Sequence, residues 1–216
     1  MRHISLLLLL LLSHSGTVAY GQAAPTSAEA YVHRGVVRED KGDHDGAIAD
    51  FTKAIEINPQ LANAYHNRGY ARHLKGDHDG AIADYTKAIE INPRYAEAYN
   101  GRGNVRIDKR DWDGAIADFT KAIEINPQYA YAYYNRGISR DGKGDLDGAI
   151  ADFTKAIEIN PRYAKAYGNR GLVKLQQGKD TEAQLDMDIA LKLDSNLKSA
   201  VEREIAKIMQ ARKPKE

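Results

Sequence analysis

The sequence predicts an all-α fold, a solenoid of five helix–turn–helix repeats closed by a C-terminal helix. Nearly the same sequence segment recurs every 34 residues, as in GDHDGAIADFTKAIEIN and GDLDGAIADFTKAIEIN. Glycine in the middle of each period and proline at its end punctuate two segments of helical length. After the last period comes a short stretch with apolar residues on one side of a helix. Periods of this length are typical of solenoids, in which each hairpin buries its apolar face against its neighbours.

Residues 1–21 have the features of a cleaved secretory signal peptide. A basic residue precedes the apolar run from Leu6 to Leu12, and small and polar residues follow it. This run is shorter than the roughly 20 apolar residues that span a bilayer, so we expect cleavage and no membrane-spanning segment. Small residues at Ala19 and Gly21 place the mature start near Gln22, with no cysteine after it for a lipid anchor. A periplasmic or secreted protein is therefore expected.

Residues 22–27 are predicted to be a short linker, and the repeats then occupy residues 28–197. Their predicted bounds are 28–61, 62–95, 96–129, 130–163 and 164–197. The fifth repeat keeps the residue spacing of the others but differs from them in sequence, and Ser195 stands where the other repeats have proline. The array is therefore expected to end there.

Residues 198–212 are predicted to form a capping helix, and residues 213–216 a disordered tail. The apolar side chains of Leu197, Val201, Ile205 and Ile208 recur at helical spacing. A one-sided stripe of this kind would cover the open face of the fifth repeat.

The repeats resemble the tetratricopeptide repeat (TPR) family over about 170 residues. Counted from Ala28 and its equivalents, an aromatic residue stands at position 4, Gly at 8, Ala at 20, an aromatic residue or Met at 24, and Ala at 27. Proline stands at position 32 in four of the five repeats. The resemblance implies a right-handed superhelix whose first helices, called helices A, line a concave groove, while the second helices, called helices B, lie outside.

Two positions of this chain depart from the family pattern. Position 7, usually Leu, is Arg in every repeat, and position 11, usually Tyr, is Arg or Lys. Position 23 on helix B is Asp in every repeat, so we predict that the position 7 Arg and this Asp form an ion pair across the hairpin. The alternative is a basic ladder that binds an anionic polymer, which would require exposed arginines without matched acids.

A candidate partner-binding surface lies at helix A positions that change from repeat to repeat while helix B hardly varies. Positions 2, 5, 9 and 12 share one face of a helix, and in the family they line the groove. Tyr and Asn offer adaptable contacts, and one lysine favours an acidic partner segment. The predicted groove residues are Tyr70, Asn100, Asn104, Tyr131, Tyr134, Asn135 and Lys165.

Part of this set resembles the carboxylate clamp of co-chaperone TPR domains. Asn104, Asn135 and Lys165 match the clamp, whereas Asn100 and Asn169 stand where the family has cations.

Composition argues against catalysis and nucleic-acid binding. The chain has 216 residues, no cysteine and a net charge of +1, which excludes disulfides and thiolate metal sites and gives no basis for binding nucleic acid. No phosphate-binding loop or HExxH motif occurs. His66 and His73 lie about 10 Å apart along a helix, too far for one metal ion without other ligands. A chance metal site in which His33 of the neighbouring repeat approaches His66 stays a minor alternative, and His44 and His78 are interpreted as tolerant surface positions at the turns. We therefore predict a non-enzymatic protein without metal or cofactor.

The predicted function is a protein–protein interaction scaffold of the bacterial envelope that holds a peptide or helix segment of another protein. The alternatives are self-association through the open face of repeat 1 and binding of an anionic envelope polymer.

Overall fold

The computed structural model describes residues 26–212, which form eleven α-helices, one short 3-10 turn and no strand. The expected all-α solenoid is thereby confirmed. The predicted signal peptide at residues 1–21 and the predicted tail at 213–216 lie outside the described residues.

Helices A and B alternate along the chain in five hairpins. Helices A are α1 (Ala28–Asp40), α3 (Ala62–Leu74), α5 (Ala96–Asp108), α7 (Ala130–Lys143) and α9 (Ala164–Gln176). Helices B are α2 (His44–Ile57), α4 (His78–Ile91), α6 (Trp112–Ile125), α8 (Leu146–Ile159) and α10 (Asp180–Leu193). A 3-10 turn at Ser195–Leu197 leads into α11 (Lys198–Ala211).

Four of the five helices B begin with an aspartate cap. In α6, for example, the Asp111 side chain accepts a hydrogen bond from the Gly114 backbone N–H. The turn before each helix B needs one residue with positive φ, which glycine adopts without strain. Gly42, Gly76, Gly144 and Gly178 fill this position, but the third repeat has Arg110 there, with φ 59°. Arg110 is therefore a strained residue in an otherwise regular turn.

Each hairpin is closed by a glycine on helix A and a large side chain on helix B. A Cβ added to Gly103 would lie 2.7 Å from the ring of Phe119, so only glycine permits this approach. Phe119 and its equivalents Phe51, Tyr85 and Phe153 are fully buried. Alanines at positions 20 and 27 complete a continuous core between neighbouring helices.

The predicted Arg–Asp pair is present in all five repeats. In the third, Asp118 Oδ2 accepts from Arg102 Nε at 3.0 Å and its Oδ1 from Arg102 Nη2 at 2.7 Å. The position 11 base also bonds to the same carboxylate, as Arg106 Nη1 does at 2.8 Å. Each Asp is almost fully buried, so each carboxylate holds two cations inside the hairpin. Because these arginines are paired with buried carboxylates, they do not form the ladder of free arginines that binding of an anionic polymer would require.

The C-terminal helix α11 packs on the fifth repeat as its apolar stripe predicts. Val201 is buried in a cluster with Leu175 and Met187, and Leu197, Ile205 and Ile208 pack around it. Within residues 26–212, no helix is both long enough and apolar enough to cross a membrane.

Candidate partner-binding groove

Helices A form the inner wall of the solenoid. Successive helices A contact one another, α1 with α3 and so on to α9, in addition to contacting their own helices B. Side chains 35 residues apart meet across this wall, as Asn100 meets Asn135 and Tyr134 meets Asn169. The wall is therefore one continuous surface on which neighbouring repeats contribute adjacent side chains.

A cavity of about 470 Å³ opens on this wall between repeats 3 and 5. It is lined by six of the seven predicted groove residues, together with Tyr163 and Ala164, which the sequence analysis did not select. The six are Asn100, Asn104, Tyr131, Tyr134, Asn135 and Lys165. Their binding of a partner stays a prediction, but the structure brings them to one place.

Tyr70 does not belong to this cavity. It lies in repeat 2, outside the three repeats that form the cavity, and it lines a separate, smaller hollow with Val36, Glu39 and Asn67. Its ring is 47% exposed, so it is available for contact, but only a partner extending along several repeats would touch both Tyr70 and the main cavity.

One side of the cavity is an aromatic cluster around Tyr163. The Tyr163 ring centroid lies 5.3 Å from that of Tyr131 and 4.8 Å from that of Tyr134. Burial raises the pKa values of Tyr163 and Tyr134, so both phenols stay neutral at physiological pH. Tyr131 is 60% exposed and presents one face to solvent. Sequence reasoning missed Tyr163 because it lies in the turn before α9, outside the helix A positions that were compared.

The other side of the cavity is polar. Asn135 Nδ2 donates to Asn100 Oδ1 at 3.2 Å, which leaves part of each amide free for a ligand. Lys165 is exposed, and no ion pair holds it within the described part of the chain. The cavity thus combines apolar ring faces, amides and a single cation.

The two clamp positions that lack cations are used differently. Asn169 Nδ2 donates to Tyr134 Oη at 3.1 Å, so this amide supports the ring below the cavity. Asn100 is joined to Asn135. Neither supplies positive charge, so Lys165 is the cation that lines this cavity.

Tyr134 has a structural role in addition to its place in the groove. Its ring packs on Phe153 with centroids 5.8 Å apart, and it is largely buried. Truncating Tyr134 would therefore disturb the fold as well as the groove, and Tyr131 is the cleaner probe of binding.

Histidines occupy different environments from those expected. His66 packs between the rings of Tyr85 and Tyr95, and burial lowers its pKa. His78, interpreted from sequence as a tolerant surface position, is partly buried and lies close to His73 and Asp108. The sequence analysis overlooked the 35-residue spacing between His73 and Asp108, which places position 12 of one repeat beside position 13 of the next.

Models of the TPR repeat match residues 38–76, 69–109 and 103–140, and models of the tetratricopeptide repeat match residues 130–163 and 153–185. No curated protein matches the sequence.

Several solved structures resemble the chain. A crystal structure of MamA is 30% identical, with a TM-score of 0.69, covering 76% of this chain and 96% of that one. YrrB, described as a TPR protein with an unusual peptide-binding site, is 21% identical, with a TM-score of 0.67, covering 82% and 92%. A thermophilic TPR protein of Thermus thermophilus is 20% identical, with a TM-score of 0.68, covering 83% and 100%. The last two likenesses concern the fold alone.

Proposed function

The chain belongs to the tetratricopeptide repeat family, and from this premise we propose that it is a non-enzymatic scaffold that holds a segment of another protein in its inner groove. Tetratricopeptide repeats generally serve protein–protein interaction rather than catalysis. The proposed contact surface is the cavity between repeats 3 and 5.

The exposed ring of Tyr131 is the observation that carries this proposal. A large aromatic side chain 60% open to solvent gains no packing for the fold from its free face. Beside the amide of Asn104 and the ammonium of Lys165, it offers the mixture of apolar area and hydrogen bonding found in binding hot spots. An extended or helical segment with a carboxylate near its aromatic or aliphatic anchor fits this mixture. The peptide-binding site named for YrrB is consistent with a groove of this kind.

Photocrosslinking tests the proposal. A photoreactive residue replacing Tyr131 in the native organism should capture a partner protein, and Tyr131→Ala should weaken capture by about 1 kcal/mol or more. The matched control is the ion pair of Lys121 and Glu124 on the outer face, where both side chains are more than half exposed. Truncating these two residues should change nothing. Loss of capture with the control variants and retention with Tyr131→Ala would assign binding to the outer face instead.

We also propose that the chain works in the bacterial periplasm or outside the cell. The apolar run at Leu6 to Leu12 with its basic and small flanks supports export. N-terminal sequencing of the protein recovered from the cell envelope tests this proposal. A mature start near Gln22 is expected, and an intact Met1 in a cytosolic fraction would contradict it.

Self-association through repeat 1 is a second candidate. Val37 is more than a third exposed on α1, whereas its equivalents Val105 and Val173 in later repeats are fully buried, so Val37 marks the uncovered face of repeat 1. Light scattering of Val37→Lys beside the unchanged chain distinguishes the two candidates, since only self-association predicts a mass that falls in the variant.

A further inference from the structure

The junction between repeats 2 and 3 brings together two imidazoles and a carboxylate. His73 lies in the last turn of α3, His78 is the first residue of α4, and Asp108 is the last residue of α5. One ligand atom of each lies within 4.8 Å of the others. Three separate helices thus converge on one point at the edge of the wall. None of the three residues lines the proposed groove cavity, although Asp108 lies on α5, which also carries Asn100 and Asn104.

The same three positions are in contact at other junctions, where they hold no set of metal ligands. At the junction of repeats 3 and 4, Gly142 faces the ring of Trp112, and at the next one Gln176 Nε2 lies 3.4 Å from Asp141 Oδ1. The fold therefore places these positions side by side in every junction, and only the residue types differ. From the first junction to the fourth, the residues at these three positions are Glu39, His44 and Leu74 between repeats 1 and 2; His73, His78 and Asp108 between repeats 2 and 3; Ile107, Trp112 and Gly142 between repeats 3 and 4; and Asp141, Leu146 and Gln176 between repeats 4 and 5.

The hydrogen bonding of the cluster leaves it incomplete. His73 Nε2 lies 2.6 Å from Asp108 Oδ2, but Nδ1 of His78 is buried and has no hydrogen-bond partner among the described residues. In repeat 1 the equivalent His44 Nδ1 is paired with Glu39 Oε1 at 2.8 Å. A buried imidazole nitrogen without a partner is unfavourable. A cation bound at His78 Nδ1 would supply the missing partner.

We propose that His73, His78 and Asp108 form a binding site for a divalent transition-metal ion of the zinc class. Two imidazoles and one carboxylate suit zinc and its neighbours, and a water would complete a tetrahedral site. Ligands of a tetrahedral zinc ion lie about 3.3 Å apart when its bonds are about 2.0–2.1 Å long, so the three side chains must shift by about 1 Å. Asp108 is exposed and His73 and His78 are only partly buried, which permits this movement.

On balance, the local charges favour the ion. His78 begins α4, and the positive end of that helix dipole disfavours a cation. His73 and Asp108 lie at helix C-termini, where a cation is stabilised. The neighbouring Lys109 is paired with Asp79, so its charge is balanced. That ion pair joins the same two helices and holds α5 against α4.

A bound ion would join α3, α4 and α5 and so fix the angle between repeats 2 and 3. The proposal concerns stability and shape, and it does not depend on the proposed binding of a partner in the groove.

Calorimetric titration of the untagged full chain with ZnCl₂ tests the site. One ion per chain is expected, and at a hundredfold excess over Kd the melting temperature should rise by about 5–10 °C. MgCl₂ should produce neither effect, because magnesium prefers oxygen ligands. Co²⁺ in place of zinc should give the visible absorption of a four-coordinate site.

The chain itself supplies the variants, since other repeats tolerate Leu and Gln at these positions. His78→Leu and Asp108→Gln should each weaken zinc binding at least tenfold and abolish the thermal shift, while circular dichroism shows that both fold. The matched control is His44→Leu, which should bind zinc as the unchanged chain does. Unchanged binding in both His78→Leu and Asp108→Gln, an equal loss in His44→Leu, or the absence of any thermal shift with zinc would overturn the proposal.

Discussion

Replacing Asp118 with alanine should destabilise the third repeat strongly. The Asp118 side chain is 4% exposed and accepts three hydrogen bonds from Arg102 and Arg106. Removing one partner of a buried ion pair typically costs about 3–5 kcal/mol. The side chains of Arg102 and Arg106 are 15% and 25% exposed, and they keep hydrogen bonds to Thr86 Oγ1 and to the Gly114 carbonyl oxygen. We therefore expect a smaller loss, about 2–4 kcal/mol.

Chemical denaturation followed by circular dichroism measures this loss, with thermal melting as a second readout. The melting temperature should fall by roughly 5–15 °C for a chain of this size. The matched control is Asp113→Ala on the same helix, whose exposed carboxylate pairs with Lys143 and should contribute less than about 0.5 kcal/mol. Adding Arg102→Leu and Arg106→Tyr, the usual family residues, to Asp118→Ala should recover most of the loss. A loss equal to that of Asp113→Ala would refute the buried-pair argument.

Three further outcomes are expected. Arg110→Gly should raise stability by about 1 kcal/mol by relieving positive φ, and an unchanged or lower melting temperature would contradict this account. Deleting the chain from Asn196 onward should expose the cluster around Met187 and cost at least about 2 kcal/mol; a truncated protein that stays monodisperse and melts unchanged would show that α11 is no cap. Because burial lowers the pKa of His66, its contribution to stability is present above its ordinary pKa and is lost as the pH falls through its folded-state pKa. His66→Tyr, which takes the residue of repeat 4, should therefore lose less in melting temperature between about pH 7.5 and 5 than the unchanged chain, and equal losses would exclude His66 as the cause.

The sequence was sufficient to predict the solenoid because its packing uses the same residues in every repeat. A glycine opposite a large ring, such as Gly103 opposite Phe119, and an Arg with its Asp sixteen residues on are local pairings within one hairpin. Repetition makes such pairings visible without coordinates. The second cation on each buried carboxylate was noticed as a pattern, but its contact with Asp was not predicted.

The groove was only partly predictable because its geometry depends on the stacking of different repeats. Sequence analysis grouped Tyr70 with the residues that line the main cavity, although Tyr70 lines a separate hollow. It missed Tyr163, which a turn brings under Tyr131, and it treated Tyr134 as a free contact residue although Phe153 packs against it. Tyr131 and Tyr163 lie on one hairpin and on the turn before the next, so their contact becomes known only when the angle between hairpins is fixed. Tyr134 and Phe153 lie in one hairpin, and this contact was overlooked although it is local.

The near identity of the outer helices has a consequence for the length of the molecule. Helices α6 and α8 differ only in their first residue, so the helices A in the middle of the array pack against helices B of nearly identical sequence. A gene that gained or lost one whole 34-residue unit would encode a chain in which every joint still fits. The length of the groove and its chemistry can therefore change separately. The number of hairpins sets the length of the groove, and the side chains of helices A set its chemistry.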